Sequence, residues 1–215
     1  MKIDIEAFKK PCACGHKHDV VVEDIIIEKG AVEKLPEIMK RTSFADKKNV
    51  VMLCDENTYE AAGRKVAELL PGIKTIMLDS RDLHANEKGV GEAKLGLNQV
   101  GAVDLMIAVG SGTIHDITRY HAYNMGIDFI SVPTAASVDG YVSTVAAMTW
   151  NGCKKSFTAV SPLVVVADTD IYSKAPLRLT ASGVSDLLGK YTALADWKIA
   201  HLVTGEYICN EICQL

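Results

Sequence analysis

The stretch from Asp104 to Thr134 reads "DLMIAVGSGTIHDITRYHAYNMGIDFISVPT". It opens on an apolar run, Leu105 to Val109, with no polar alternation, which is what a strand covered on both faces requires. A Gly-Ser-Gly turn follows, then "TIHDITRYHAYNMG" with apolar side chains at helical spacing, then a second apolar run, "DFISVPT". Strand, helix and strand within about 30 residues make a βαβ unit. Two strands joined in this way lie parallel, because the helical crossover returns the chain to the end where it started.

The alternation continues on both sides of this unit. Upstream, "DIIIEKG", "KNVVMLC" and "IKTIMLD" read as strands, separated by the helical patterns "AVEKLPEIMKR" and "YEAAGRKVAELL"; "NEKGVGEAKLGLNQVG" adds a further helix. Downstream, "VAAMTWNGCKKSFTAV" carries Asn151-Gly152 between two short runs, a hairpin signal, and "PLVVVADTD" adds a buried strand. The pattern predicts an α/β domain over residues 1–174 with a doubly wound, mostly parallel, Rossmann-like sheet. From residue 175 onward no strand pattern remains, and "APLRLTASGVSDLLGKYTALADWKIAHLVTGEYICNEICQL" reads as the beginning of an all-helical domain over 175–215, cut early.

Composition excludes several classes. With 215 residues, 48% hydrophobic and 23% charged, the chain has the balance of a folded globular protein. A formal net charge of -4 argues against a nucleic-acid surface. No apolar run approaches the roughly 20 residues that span a bilayer, and "MKIDIEAFKK" lacks a secretory apolar stretch. These features predict a cytoplasmic protein with no membrane or nucleic-acid partner. In that compartment the six cysteines are expected as free thiols. "CACGHKH", Cys12 to His18, offers zinc-type ligands but lacks the two-residue gap of paired thiolates and a second Cys/His pair at finger-like distance, so it reads as a polar turn. Cys209 and Cys213, four apart, read as core-facing residues of one helix.

Four segments carry chemistry. In "AVGSGTIHD", Gly110 and Gly112 let the backbone approach a ligand while the following helix offers free amides to a phosphate; a tight structural turn reads equally well. In "LCDENTYEAAG", Asp55 ends a buried strand and is placed to accept from an adenosine ribose, although Asp55, Asn57 and Thr58 are also ordinary helix-cap residues. In "SVPTAASVDGYVS", Asp139 lies in a small-residue loop after a strand, as a ligand contact or a turn anchor. In "SGVSDLLGKY", Asp186 sits near an expected helix start with Ser182 or Ser185 as cap, serving the helix dipole or a metal.

In this order, "VGSGTIHD", "SVPTAASVDGYVS", "VVVADTDIYSKAP" and "GVSDLLGKY" resemble the metal-dependent, iron-type alcohol and glycerol dehydrogenases of the dehydroquinate synthase-like group. "TIHDITRYHA", "PTAASVDGY" and "DLLGKYTALADW" are most similar to its glycerol-1-phosphate dehydrogenases. The resemblance implies NAD or NADP and a divalent metal, zinc with nickel or iron as alternatives. It places Gly110, Ser111, Gly112 and Thr113 on the pyrophosphate with Asp116 behind them, Asp55 and Asn57 at the adenosine, and Thr134, Ser137 and Ser143 on the nicotinamide side. Asp139 would contact a small-molecule substrate, and Asp186 would be the metal's carboxylate ligand. A carboxylate at Asp55 disfavours a 2′-phosphate, leaving NAD at least as well suited as NADP. Lys190 is placed either for a substrate phosphate or to balance Asp186.

The implied reaction is reduction of dihydroxyacetone phosphate to sn-glycerol 1-phosphate by a homo-oligomer at full length. A polyol dehydrogenase, a dehydroquinate synthase and a nucleotide-binding module without catalysis are the alternatives. The two histidines that complete the family's metal site are not found: His201 is the only histidine after Asp186. The chain therefore reads as the amino-terminal part of a longer enzyme, inactive by itself.

Overall fold

The computed structural model describes residues 3–214. A short helix α1 (Ile5–Phe8) and an extended segment lead into six parallel strands: β1 (Asp24–Glu28), β2 (Val50–Asp55), β3 (Lys74–Leu78), β4 (Leu105–Gly110), β5 (Asp128–Pro133) and β8 (Val164–Asp168). Their order in the sheet is β1-β8-β5-β4-β2-β3, with every pairing parallel. A hairpin of β6 (Val145–Trp150) and β7 (Cys153–Thr158) stands apart, turned by Asn151 and Gly152 at φ 50° and 73°. Positive φ at both turn residues is what a two-residue hairpin demands.

The continuous apolar runs are continuous because both faces of the sheet are covered. On one face α5 (Glu87–Val100), α6 (Gly112–Met125) and the hairpin pack on Val51, Leu53, Met106 and Ala108. On the other, a 3-10 turn (Ala31–Lys34), α2 (Leu35–Ile38) and α4 (Arg64–Leu69) pack on Met52, Cys54, Ile107 and Val109. All six residues of β4 are buried, and each large aliphatic side chain moved from water to such a core contributes about 1.5–3 kcal/mol.

The helix expected over "YEAAGRKVAELL" is interrupted. A short turn α3 (Glu56–Thr58) is capped by Asp55, and a π-helical turn (Tyr59–Gly63) precedes α4. Beyond β8, the short helix α7 (Thr169–Tyr172) leads to α8 (Leu177–Thr204), an unbroken run of 28 residues that ends where Gly205 turns left-handed at φ 74°. This corrects the reading of Asp186 as a helix-start residue. Asp186 lies in the third turn, and Ser182 and Ser185 do not cap; their hydroxyls donate back to the Arg178 and Ala181 carbonyls. Among the described residues, Gly183 is the buried position of α8, while Tyr191 and Leu202 are 77% and 73% exposed. A last helix, α9 (Asn210–Gln214), follows Cys209, whose carbonyl accepts from the Cys213 amide at 3.1 Å, so the two cysteines stand one helical turn apart, Cys209 buried at the start of the helix and Cys213 half-buried. No described helix is long and apolar enough to cross a membrane.

Candidate functional site

The connection from β2 through α4 to β3 runs one way across the sheet, and that from β4 through α6 to β5 runs the other, over the opposite face. The crevice lies where these directions diverge, beyond the carboxyl ends of β2 and β4, and this is where such sheets take ligands. Asp55 closes β2, Gly110 closes β4, and Thr134 follows β5 with its amide donating to the Gly110 carbonyl at 3.0 Å. Three of the segments singled out in the sequence thus meet at one edge.

The β4–α6 turn has the properties of an anion cradle. Ser111 occupies the N-cap position of α6 but makes no side-chain cap bond, so the first amides of the helix keep no side-chain partner and face outward with the positive end of the dipole. The two glycines have different jobs. A Cβ on Gly110 would lie 2.5 Å from the Cβ of Ile114, so Gly110 is required for strand and helix to pack. A Cβ on Gly112 would meet only the Val138 side chain, at 3.1 Å. Thr113, the second residue of the helix, is half-buried.

Asp55 does what its capping reading says: one oxygen accepts from the Thr58 amide at 2.8 Å, and the Thr58 hydroxyl accepts from the Asp55 amide at 3.0 Å. Asn57 is exposed beside it. Thr134 and Ser137 are buried in the loop after β5, with the Ser137 hydroxyl 3.4 Å from that of Tyr141.

Asp139 and Asp186, 47 residues apart, come together across the crevice. The Asp139 amide donates to Oδ2 of Asp186 at 2.9 Å, and the Lys190 ammonium pairs with the Asp139 carboxylate at 2.7 Å. The lysine that sequence spacing coupled to Asp186 therefore neutralises Asp139. A cleft of about 370 Å³ lies between Gly112, Asp116, Asp139, Tyr141 and Asp186. Among the described residues, the one cluster of three or more metal-type side chains does not include Asp186. His201 is fifteen residues along the same unbroken helix, a rise of about 22 Å, and its Nδ1 bonds the Glu206 carbonyl instead.

Two residues that sequence reasoning missed organise this cleft. Arg119, 1% exposed, donates to the carbonyls of Gly140, Tyr141, Ser143 and Val145 at 2.7–3.2 Å, so one guanidinium pins the whole Asp139 loop. His115 is buried, and burial pulls its pKa down to about 3. A neutral imidazole has one N–H, and the Ser111 carbonyl can only accept, so Nδ1 donates to that carbonyl at 2.9 Å and Nε2 accepts from the Ser131 hydroxyl at 2.7 Å. The signal was present: His115 and Arg119 stand four apart on the buried face of α6, where a polar side chain needs a partner.

Burial also raises Asp116 to about 6, against the opposing pull of Arg119, whose Nε lies 3.7 Å away. A carboxyl that holds its proton more tightly when folded weakens the fold as pH rises from its unfolded value near 3.8 through about 6. The Asp116→Asn variant lacks this dependence. The stability of that variant minus that of the parent, followed by urea unfolding, is expected to climb between pH 4 and 7 by up to about 3 kcal/mol. A flat difference would show that Asp116 ionises normally.

Residues 26–176 match the family described as iron-containing alcohol dehydrogenase. The chain belongs to this family. Its relatives include a glycerol-1-phosphate dehydrogenase [NAD(P)+] of Geobacillus thermodenitrificans, 37% identical over 99% of this chain and 53% of that protein. Another, of Bacillus velezensis, is 41% identical over 87% of this chain and 48% of that protein. This iron-type dehydrogenase chain spans about half the length of the curated relatives it matches. Among solved structures, an archaeal halo-thermophilic Red Sea brine pool alcohol dehydrogenase superposes with a TM-score of 0.66 at 20% identity, covering 80% of this chain and 50% of that one. Glycerol dehydrogenase from Schizosaccharomyces pombe superposes with 0.64 at 22% identity, over 78% and 42%. These structures share the iron-type dehydrogenase fold of the present chain.

Proposed function

We propose that the chain is the nucleotide-binding half, with the first metal-bearing helix, of an NAD(P)-dependent glycerol-1-phosphate dehydrogenase. One observation carries the reading: Asp186, from a helix outside the sheet, is held by the Asp139 amide on the far side of a cleft from the uncapped end of α6. Nucleotide loop and carboxylate thereby face one volume.

The residues present fit both groups. The free amides of α6 beside Gly112 suit a pyrophosphate, with Asp55 at the neighbouring strand end for a ribose. Thr134, Ser137 and Ser143 lie in the loop on the other side of β4, toward the nicotinamide. Asp186 supplies one oxygen ligand suited to zinc or another divalent ion, and further ligands would come from sequence beyond this half. When bound, the dinucleotide supplies hydride and the metal supplies Lewis acidity at a substrate carbonyl. The protein's own part is positional. Arg119 fixes the loop that carries Asp139, Lys190 cancels the Asp139 charge so that a phosphorylated substrate is not repelled, and neutral His115 keeps the Ser111 turn rigid without adding charge beside the cofactor.

The names of the relatives, glycerol-1-phosphate dehydrogenases, support glycerol 1-phosphate as one reactant, and oxidation of its secondary alcohol makes dihydroxyacetone phosphate the other. The test is oxidation of NADH and NADPH with dihydroxyacetone phosphate, against glycerol and dihydroxyacetone, by a chain of the relatives' length. Turnover with the unphosphorylated pair alone would replace this reading with a polyol dehydrogenase.

The cofactor site is testable in the 215-residue chain itself. Thr113→Glu puts a carboxylate in the first turn of α6, where it suits the helix dipole but occupies the pyrophosphate's place. NAD(P)H affinity, read by cofactor fluorescence, is expected to fall about 10- to 100-fold, roughly 1.4 to 2.8 kcal/mol, with the melting temperature unchanged. Unaltered affinity would place the phosphate elsewhere.

A further inference from the structure

Before β1 the chain makes a compact loop. The Gly15 amide donates to the Cys12 carbonyl at 3.1 Å, and Gly15 takes φ 79°, a left-handed turn that Gly adopts without strain. The turn brings Cys14 and His18 back on one another, with Sγ to Nε2 at 3.4 Å. Cys209, just past the end of α8 and fully buried, closes the group from the other end of the chain, its Sγ 3.5 Å from that of Cys12. The four ligand atoms of Cys12, Cys14, His18 and Cys209 all lie within 4.8 Å of one another.

We propose that these four side chains form a structural zinc site of the Cys₃His type that fastens the amino-terminal segment to the chain leaving α8. This inference is independent of the dehydrogenase reading and of Asp186. In tetrahedral zinc, bonds of about 2.3 Å to sulfur and 2.0 Å to nitrogen place ligand atoms about 3.5–3.8 Å apart. The separations of 3.4 Å between Cys14 and His18 and 3.5 Å between Cys12 and Cys209, with all four atoms within 4.8 Å of one another, lie close to that geometry. Three soft ligands and an imidazole are the zinc preference, and with four protein ligands no position is left open, which is the mark of a structural centre.

The surroundings supply what a metal-bound thiolate needs. The Tyr207 hydroxyl donates to Cys14 Sγ at 2.9 Å and the His16 amide at 3.4 Å. The rings of His16 and Tyr207 meet in a tilted arrangement, with centroids 4.0 Å apart and planes at 47°. Sequence spacing set the motif aside because no second pair lay nearby. The fourth ligand arrives 197 residues after the first, which no local pattern reveals.

The test uses the intact chain with zinc as the probe. Protein produced in zinc-supplemented medium and passed through gel filtration is expected to hold one zinc per chain by elemental analysis. Its cobalt-substituted form is expected to show sulfur-to-metal charge transfer and the intense visible bands of tetrahedral thiolate ligation. Cys14→Ala and Cys209→Ala should each take the zinc content from one to none. Cys153→Ala and Asp186→Ala should leave it at one, which separates this centre from the proposed substrate-side metal. Because a ligand variant can lose zinc by misfolding, thiol labelling of the unmutated chain serves as a second readout: chelator should increase the labelling of Cys12, Cys14 and Cys209 and leave unchanged that of Cys54, which is buried in the sheet core. Cobalt bound without charge-transfer absorption, zinc retained by Cys14→Ala, or a chain whose Cys12 and Cys209 are joined as a disulfide with no metal would each overturn the proposal.

Discussion

Asp186→Ala, in a chain of the relatives' length, is expected to lower kcat/KM for dihydroxyacetone phosphate by at least about 10³-fold, some 4 kcal/mol of transition-state stabilisation. The magnitude follows from the kind of group removed. A carboxylate that binds a Lewis acid contributes the charge stabilisation of the developing alkoxide, and alanine offers no oxygen in its place. The same variant should lose its substrate-side metal while nicotinamide dinucleotide affinity stays within a few-fold, because the amides of α6 belong to a different element. Asp186 also accepts the Asp139 amide, and losing that bond alone would cost only about 1 kcal/mol. A tenfold fall with metal content intact would therefore reduce Asp186 to a loop anchor.

Gly183→Ala should produce a loss of comparable size from a residue that touches neither ligand. A Cβ at Gly183 would lie 2.0 Å from the Ala136 carbonyl oxygen and 2.9 Å from its carbon, both backbone atoms that cannot rotate away. Gly183 is the buried contact through which α8 rests on the loop after β5, so an added methyl lifts the helix off the loop. The consequence falls on Asp186, three residues on, whose bond to Asp139 spans that same junction. A displacement of about 1 Å at such a site costs on the order of 100-fold in rate, and a broken metal site costs more. NAD(P)H binding to the 215-residue chain should weaken by a few-fold at most, since the α6 amides are untouched and only the loop carrying Ser137 is disturbed. Alanine is otherwise the better helix residue, by about 1 kcal/mol over glycine. A variant that is more stable and fully active would show that α8 docks differently.

The α/β alternation was legible because its cause is local. Strands buried on both faces must be apolar at every position, so "LMIAV" and "VVVA" announce a parallel sheet without knowledge of their neighbours. Asn151-Gly152 announced its hairpin through backbone torsions that few other residue pairs adopt. The glycine turn at Gly110–Gly112, the acid at the end of β2 and the loop after β5 were readable for a related reason, since a parallel sheet places the carboxyl ends of its strands along one edge. The reading of Asp186 as a helix-start residue went wrong at this same local level. "SGVS" looks like a cap, but Pro176 had already opened α8, and serines that donate to carbonyls four residues back sit inside a helix as readily as before one.

What the sequence determined by itself was the set of elements and their type, because hydrophobic period and turn chemistry act over a few residues. Tertiary structure alone decided which distant side chains share a volume. It gave Lys190 to Asp139 rather than Asp186 and set Arg119 against four carbonyls of one loop. It made Gly183 a docking point and carried Cys209 to Cys12 and Cys14. Each of these depends on the packing of elements remote in the chain, where the free energy of burial is settled by the whole sheet and its covering helices, and no spacing between residues records the outcome.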